Sequence, residues 1–220
     1  MLDLLSRYDV LGAFWLTVQL AVLSAIGALL LGTVVAVLRV SPVRVLQLIG
    51  TSYVNIFRNT PLTLLMVFSL LGATYILGLS LSGDIASNVF RWAVVMLSVY
   101  HAAFVCEALR SGVNTVPIGQ AEAARAIGLT FGQSMRSVIL PQAFRAAIAP
   151  LGSTLIALIK NTTVAAVIGA GDAAGLMSEI VENETGTTSV FLVFAIGFVI
   201  LTLPLGLLFT SLSRRLAVRR

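Results

Sequence analysis

Residues 117–132 read Pro-Ile-Gly-Gln-Ala-Glu-Ala-Ala-Arg-Ala-Ile-Gly-Leu-Thr-Phe-Gly. The Ala/Glu/Arg-rich middle favours helix, while Gly128 and Gly132 favour an end to it. Pro117 suits a helix start, with Thr115 as a candidate cap, so the spacing predicts a short helix, a turn and a second helix. Ala123, Ala124, Ile127 and Leu129 then form a small apolar surface, suited either to a groove on a partner protein or to packing on this chain's own helix ends. The surrounding segment, 110–145, holds no apolar run long enough to cross a bilayer, whereas the chain on both sides of it does.

Outward from that segment, charged residues divide the chain into uncharged windows at 10–38, 59–83, 92–106, 146–159, 161–171 and 185–213. Three of these are long enough to span alone, given the roughly 20 residues a crossing helix needs. Extending 92–106 sets Arg91 and Glu107 near the two interfaces, and the windows flanking Lys160 join into one span with a lysine inside it. The expected spans are about 10–38, 60–82, 87–109, 146–170 and 186–212, with a cytoplasmic loop at about 111–145. All belong to one transmembrane domain, 1–220, of an all-α integral membrane protein. The composition agrees: 58% of residues are hydrophobic and 10% charged, which excludes a soluble enzyme and a disordered tail. The lone Cys106 excludes an intramolecular disulfide framework.

The placement of arginine sets the direction. One set of loops carries Arg39, Arg44, Arg58, Arg110, Arg125, Arg136, Arg145, Arg214, Arg215, Arg219 and Arg220, and the other carries Arg7 and Arg91. By the positive-inside rule the N-terminus is outside and the C-terminus inside. Asp3, Asp9, Asp84, Asp172, Glu179, Glu182 and Glu184 fall outside and Glu107 and Glu122 inside. The first apolar run is about twice a signal-peptide h-region and lacks a cleavage site, so it reads as a retained helix. Gly12, Gly27 and Gly32 in it suit close helix contacts or face lipid.

Glu122-Ala123-Ala124, Gly128 and Val138-Ile139-Leu140-Pro141 resemble the EAA loop of bacterial ABC importer permeases: EAA, three residues, Gly, nine residues, then Ile-x-Leu-Pro. Val138 in place of Ile is the departure. Phe57-Arg58-Asn59-Thr60-Pro61-Leu62 and Ile159-Lys160-Asn161-Thr162-Thr163 resemble the polar amino-acid (histidine, glutamine, glutamate) branch, and the whole chain is most similar to actinobacterial glutamate permease subunits. The resemblance implies a type I importer permease fold in a bacterial cell membrane. It implies as partners an ATPase dimer, a second permease subunit, identical or related, and an extracytoplasmic amino-acid-binding protein. It also implies that Glu122, Ala123, Ala124 and Gly128, with Leu140 and Pro141 closing the motif, couple to the ATPase. No G-x-x-x-x-G-K-S/T loop is present in the sequence, so ATP and Mg belong to another polypeptide and this chain carries no cofactor.

Lys160 is the costliest residue to bury, at about 2.5–3.5 kcal/mol at mid-bilayer. Two readings are open for it. Either it faces the pathway and attracts a substrate carboxylate, with Asn161 and Thr162 donating hydrogen bonds, or it pairs with Glu107 or snorkels to an interface. Arg58-Asn59-Thr60 echoes that triplet where the second span begins, and Pro61 after it can start a helix with free N–H groups suited to an anion. His101 reads as an interhelical hydrogen-bonding group, with a metal site improbable for want of a second ligand. Residues 42–53, with Val43, Leu46, Ile49, Gly50 and Tyr53 at helical spacing, read as an amphipathic helix on the cytoplasmic face. Asp172, Glu179, Glu182 and Glu184 read as a solvated loop or a rim for the binding protein, and Arg214, Arg215, Arg219 and Arg220 as lipid anchors that need no nucleic acid. An intramembrane enzyme lacks a paired catalytic constellation here. A channel or a scaffold has no use for the EAA segment. Basic intramembrane residues tilt the cargo towards an acidic or neutral amino acid.

Overall fold

The computed structural model describes residues 7–184 and 187–216. Asp3 in the charge count and Arg219 and Arg220 in the lipid anchor lie outside the described residues. The described chain is helical, with no strand among those residues. Helix α1 (Val10–Val40) begins at Asp9, whose carboxylate accepts the Gly12 N–H at 2.8 Å. Helix α2 (Arg44–Asn59) ends at Thr60, held extended at ψ 129° because the following proline crowds the helical conformation. Helix α3 (Leu62–Ile76) leaves at 99° to α2. It is α-helical to Val67 and continues in wider π turns over Phe68–Ile76.

Among the described residues, four helices are long and apolar enough to cross a membrane: α1, α4 (Ile85–Val113), the unit Ile148–Ile168, and Thr188–Ser213 within α9 (Thr187–Leu216). A fifth crossing exists only if the bent pair α2–α3 is counted as one. The expected second span at 60–82 is helical only over Leu62–Ile76, at most about 22 Å at the α-helical 1.5 Å per residue, shorter than a hydrocarbon core of about 30 Å. Gly78, at φ +69°, turns the chain out of the helix. Asn88 then accepts the Leu81 N–H and Arg91 donates to the Leu81 carbonyl, fastening the loop to α4.

The segment between α4 and the fourth crossing is almost wholly helical: α5 (Ile118–Ala126), then α6 (131–146), whose middle turn over Met135–Ile139 is widened to the π form. Pro141 lacks a backbone N–H, and the widened turn just before it relieves the crowding a proline imposes inside a helix. Helix α7 (Ile148–Asn161) tightens to a 3₁₀ segment, Thr162–Ile168, which Gly169 closes at φ +81°. Helix α8 (Ala173–Asn183) precedes α9.

The buried core is built on α1 packed along α4. Ser98 Oγ donates to the carbonyls of Val94 and Ser24, and Ser24 Oγ to that of Val94. Gly27 and Gly32 face α4, where an added Cβ on Gly32 would stand 2.8 Å from the Ala102 carbonyl oxygen. Gly12 instead makes room for the Asp9 cap. Near the Arg-rich ends of the helices, Val35, Ala36, Val54, Cys106, Leu109 and Leu151 form one cluster. Leu20, Leu62, Met66, Leu97 and Ile168 form a second, joining α3 to the 3₁₀ segment. A third, at the opposite end, stacks Phe14 on Phe194 at 5.6 Å, with Ile180 of α8 beside them. Helix α2 packs on α1 and α4, burying Gly50 and Val54 and leaving Val45, Leu48, Ile49 and Ile56 exposed.

Candidate functional site

Two regions carry the residues singled out above. The first is α5 and its turn. Thr115 donates its hydroxyl to the Gly112 carbonyl at 2.7 Å and so closes α4 rather than capping α5; Pro117 holds the cap position of α5. At the far end, the Leu129 N–H bonds to the Ala124 carbonyl at 3.1 Å and the Gly128 N–H to the Arg125 carbonyl at 2.9 Å. That pair of bonds requires a left-handed residue, and Gly128 supplies it at φ +82°. Thr130 then caps α6 in a reciprocal box with Gln133, a Thr-x-x-Gln signal readable in the sequence. The docking set divides. Glu122 and Ala123 are exposed and Ala124 is buried against the chain's own turn, while Ile127 and Ile118 stand 77% and 75% exposed. Ile118, one turn before Glu122, is exposed beside it although it lies outside the EAA motif. Leu140 is half-buried and Pro141 exposed, in α6 rather than α5.

The second region lies between α4 and α7. Tyr100, His101, Phe104, Ser153, Thr154, Ala157 and Asn161 line a cavity of about 340 Å³. His101 is buried, with Nδ1 3.0 Å from the Leu97 carbonyl and Nε2 3.1 Å from the Asn161 amide nitrogen. The interhelical hydrogen bond expected of it is thus made to Asn161, and Asn161's N–H is engaged by His101. The Arg58 guanidinium lies 5.6 Å over the Phe104 ring and 3.6 Å from Glu107. Arg58, at Phe104, and Asn161, at His101, therefore both lie against the same stretch of α4. The other residues of the two triplets serve their own helix ends: Asn59 donates to the Asn55 carbonyl, Thr60 to that of Ile56 and Thr162 to that of Ile159. Lys160 is exposed at the last turn of α7. Its reading as a partner of Glu107 is corrected: Glu107 holds Arg39, Arg58 and Arg110. Among the described residues Lys160 has no ion pair, and no cluster of three metal-binding side chains occurs.

The acidic cluster also changes. Asp172 is fully buried and caps α8, its Oδ1 accepting the Gly175 N–H at 3.1 Å, while Oδ2 has no hydrogen-bond partner among the described residues. Beside it Thr17 accepts the Ala173 N–H. Glu179 and Glu182 are exposed, and Glu184 lies 3.8 Å from Arg7. Burial pushes the Asp172 carboxyl from 3.8 up to about 6, against the opposing pull of the Gly175 N–H. A raised carboxyl favours the fold while it is protonated: the stabilisation is complete below pH 3.8 and is lost as pH rises through 6. Asp172→Asn keeps the cap and removes the buried charge. Its expected result is a gain of about 2 kcal/mol at pH 7.5, with the parent's fall in melting temperature between pH 5 and 7 flattened. Melting curves in detergent at the two pH values decide it, and an unchanged slope would contradict the assignment.

The chain matches the family described as binding-protein-dependent transport system inner membrane component over residues 28–219. It is 53% identical over 218 residues to the glutamate transport system permease protein GluC of Corynebacterium glutamicum, with 96% of each chain covered. It is 35% identical over 204 residues to the probable glutamine ABC transporter permease protein GlnM of Bacillus subtilis, covering 92% of this chain and 91% of that one. A solved amino acid ABC transporter with histidines superposes with a TM-score of 0.82 at 26% identity, covering 97% of each chain. Since the family match runs from within α1 to beyond the end of α9, it takes in both regions just described, and the chain belongs to the family of binding-protein-dependent transport system inner membrane components, the membrane-spanning permease subunits of ABC transporters.

Proposed function

We propose that this chain forms one half of the translocation pathway of an ATP-driven importer whose cargo is glutamate. It couples to a separate ATPase dimer through α5. The observation that carries the reading is the exposed surface of α5 and its C-cap: Ile118, Glu122, Ala123 and Ile127 exposed on a short helix fixed at both ends. A rigid, two-ended helix transmits displacement to the spans it joins. ATP and Mg are bound by the ATPase, an extracytoplasmic binding protein delivers the cargo, and a second permease subunit, identical or related, closes the pathway. In this arrangement the Arg-rich helix ends and α5 face the cytosol and the N-terminus faces outward. Lys160 and Arg58 supply positive charge for the cargo's carboxylates, and the cavity lined by Tyr100, His101 and Asn161 supplies the contacts. The choice of glutamate is supported by the relative from Corynebacterium glutamicum and by these two cations.

Uptake of labelled glutamate into vesicles holding the assembled importer tests the reading, with glutamine and arginine as comparisons. Uptake that stops without ATP is expected, and flux indifferent to ATP would overturn it. Gly128→Val forces a branched side chain into a left-handed position, at a cost of about 1–2 kcal/mol, although nothing crowds its Cβ. With Glu122→Arg it is expected to leave insertion intact and to lower glutamate carried per ATP at least about tenfold, a loss of about 1.4 kcal/mol in coupling. Full coupled uptake by both variants would remove α5 from its assigned role.

A further inference from the structure

Building on the reading of Asn161 as a pathway residue, we propose that His101 fixes the Asn161 carboxamide so that its Oδ1 acceptor, and not its N–H donor, is offered to the cavity, where it receives the ammonium group of an amino-acid cargo. His101 is 1% exposed, and its two ring nitrogens face different chemistry. Nδ1 lies 3.0 Å from the Leu97 carbonyl oxygen, which can only accept, so Nδ1 carries the proton. A neutral imidazole then has a bare lone pair on Nε2, and the atom 3.1 Å from it must be a donor, the Asn161 amide N–H. This assignment follows from the valence of the partners rather than from how an amide is drawn. With its N–H side held, Asn161 has its carbonyl oxygen left for the cavity wall.

The rest of the wall suits the same end of a cargo molecule. Ser153 and Thr154 donate their hydroxyl hydrogens to the Ala149 and Pro150 carbonyls, which leaves their oxygens as acceptors. Tyr100 is an aromatic lining residue, and a ring face attracts an ammonium. Lys160, the residue before Asn161, and Arg58, over the Phe104 ring, supply cations suited to carboxylates. An amino acid thus meets acceptors and the Tyr100 ring for its ammonium and cations for its acid groups, a sorting that His101 sets through Asn161. His101 is in this account a positioning residue.

The test is a cycle of variants in the complete importer, read as glutamate carried per ATP at saturating binding protein. His101→Phe keeps a ring without the Nε2 acceptor; His101→Met replaces it if the Phe variant does not assemble. His101→Gln keeps an acceptor oxygen. The Phe or Met variant is expected to lose about tenfold or more, the scale of one hydrogen bond to a charged group. Asn161→Leu is expected to lose as much, the double variant no more than either single one, and His101→Gln to recover most of the loss. Strict additivity, full transport by the acceptor-less variant beside a defective Asn161→Leu, or no recovery by Gln would each overturn the positioning role while leaving the pathway reading in place. Full transport by Asn161→Leu would instead remove both.

Discussion

Glu107→Ala is expected to destabilise the chain by about 2–4 kcal/mol, seen as a lower melting temperature and a smaller folded fraction extracted from the membrane. One carboxylate near the end of α4 faces three guanidiniums: Arg39 from α1, Arg58 from α2 and Arg110 from its own helix. Removing it leaves those cations to repel one another beside an apolar core. The three pairs are unequal. Arg39, 12% exposed, hydrogen-bonds to the Glu107 carboxylate, whereas Arg58 and Arg110 are 46% and 44% exposed. Exposed pairs contribute about 0–1 kcal/mol, so most of the loss lies with Arg39. A double-mutant cycle of Glu107→Gln with Arg39→Gln is expected to give a coupling of about 1–3 kcal/mol that salt barely screens. The cycle with Arg110→Gln is expected to stay below about 0.5 kcal/mol and to fade with salt. A Glu107→Ala protein that melts within 0.5 kcal/mol of the parent would show that this cluster does not hold α1, α2 and α4 together.

The features that local chemistry controls were legible in the sequence. The uncharged run that becomes α1 needed only its length, and the turn at Gly128 only the rule that a helix ends where a residue without Cβ can turn left-handed. Helix α8 was equally within reach: Asp172 caps it, and Ala173, Leu176, Met177 and Ile180 repeat at helical spacing. The acids Glu179 and Glu182 drew attention to charge instead. Long-range placement was out of reach. Nothing local tells that Ala124 turns inward while Ala123 turns outward, because the burial of one depends on how α5 rests against α6. Nor does the sequence join His101 to Asn161, since those residues lie in different helices and meet only when α4 and α7 pack. The α2–α3 bend was half legible. Pro61 marks a break, but whether the two pieces form one crossing depends on the packing of Leu62 and Met66 against the 3₁₀ segment after Asn161.

That packing also decides which glycines resist substitution. Replacing a helical glycine by alanine normally favours the helix by about 1 kcal/mol. Gly119 in α5 has nothing within 4 Å of an added Cβ, and Gly119→Ala is expected to be neutral or to gain up to about 1 kcal/mol. Gly112, in the last turn of α4, is the opposite case. Its added Cβ would overlap the Ala143 carbonyl oxygen and stand 3.0 Å from the carbonyl carbon and 3.1 Å from Ala147 Cβ. The obstacle is backbone of α6, which no rotamer change can move aside, so the helices must separate. Gly112→Ala is therefore expected to lose about 1–3 kcal/mol net of the propensity gain, and Gly112→Val more. Gly27→Ala meets Ser98 Oγ, which can rotate, and Ser98 Cβ at 2.9 Å, which needs only a small shift, so it should cost less than Gly112→Ala. Ranking the three alanine variants by melting temperature is a direct check: Gly119 highest, Gly27 between, Gly112 lowest. If Gly112→Ala melts with Gly119→Ala, the close approach of α4 to α6 is absent. The joint by which a displacement of α5 would reach the α4 span then has to be sought elsewhere, in the Thr115 bond to the Gly112 carbonyl or in the cap at Pro117.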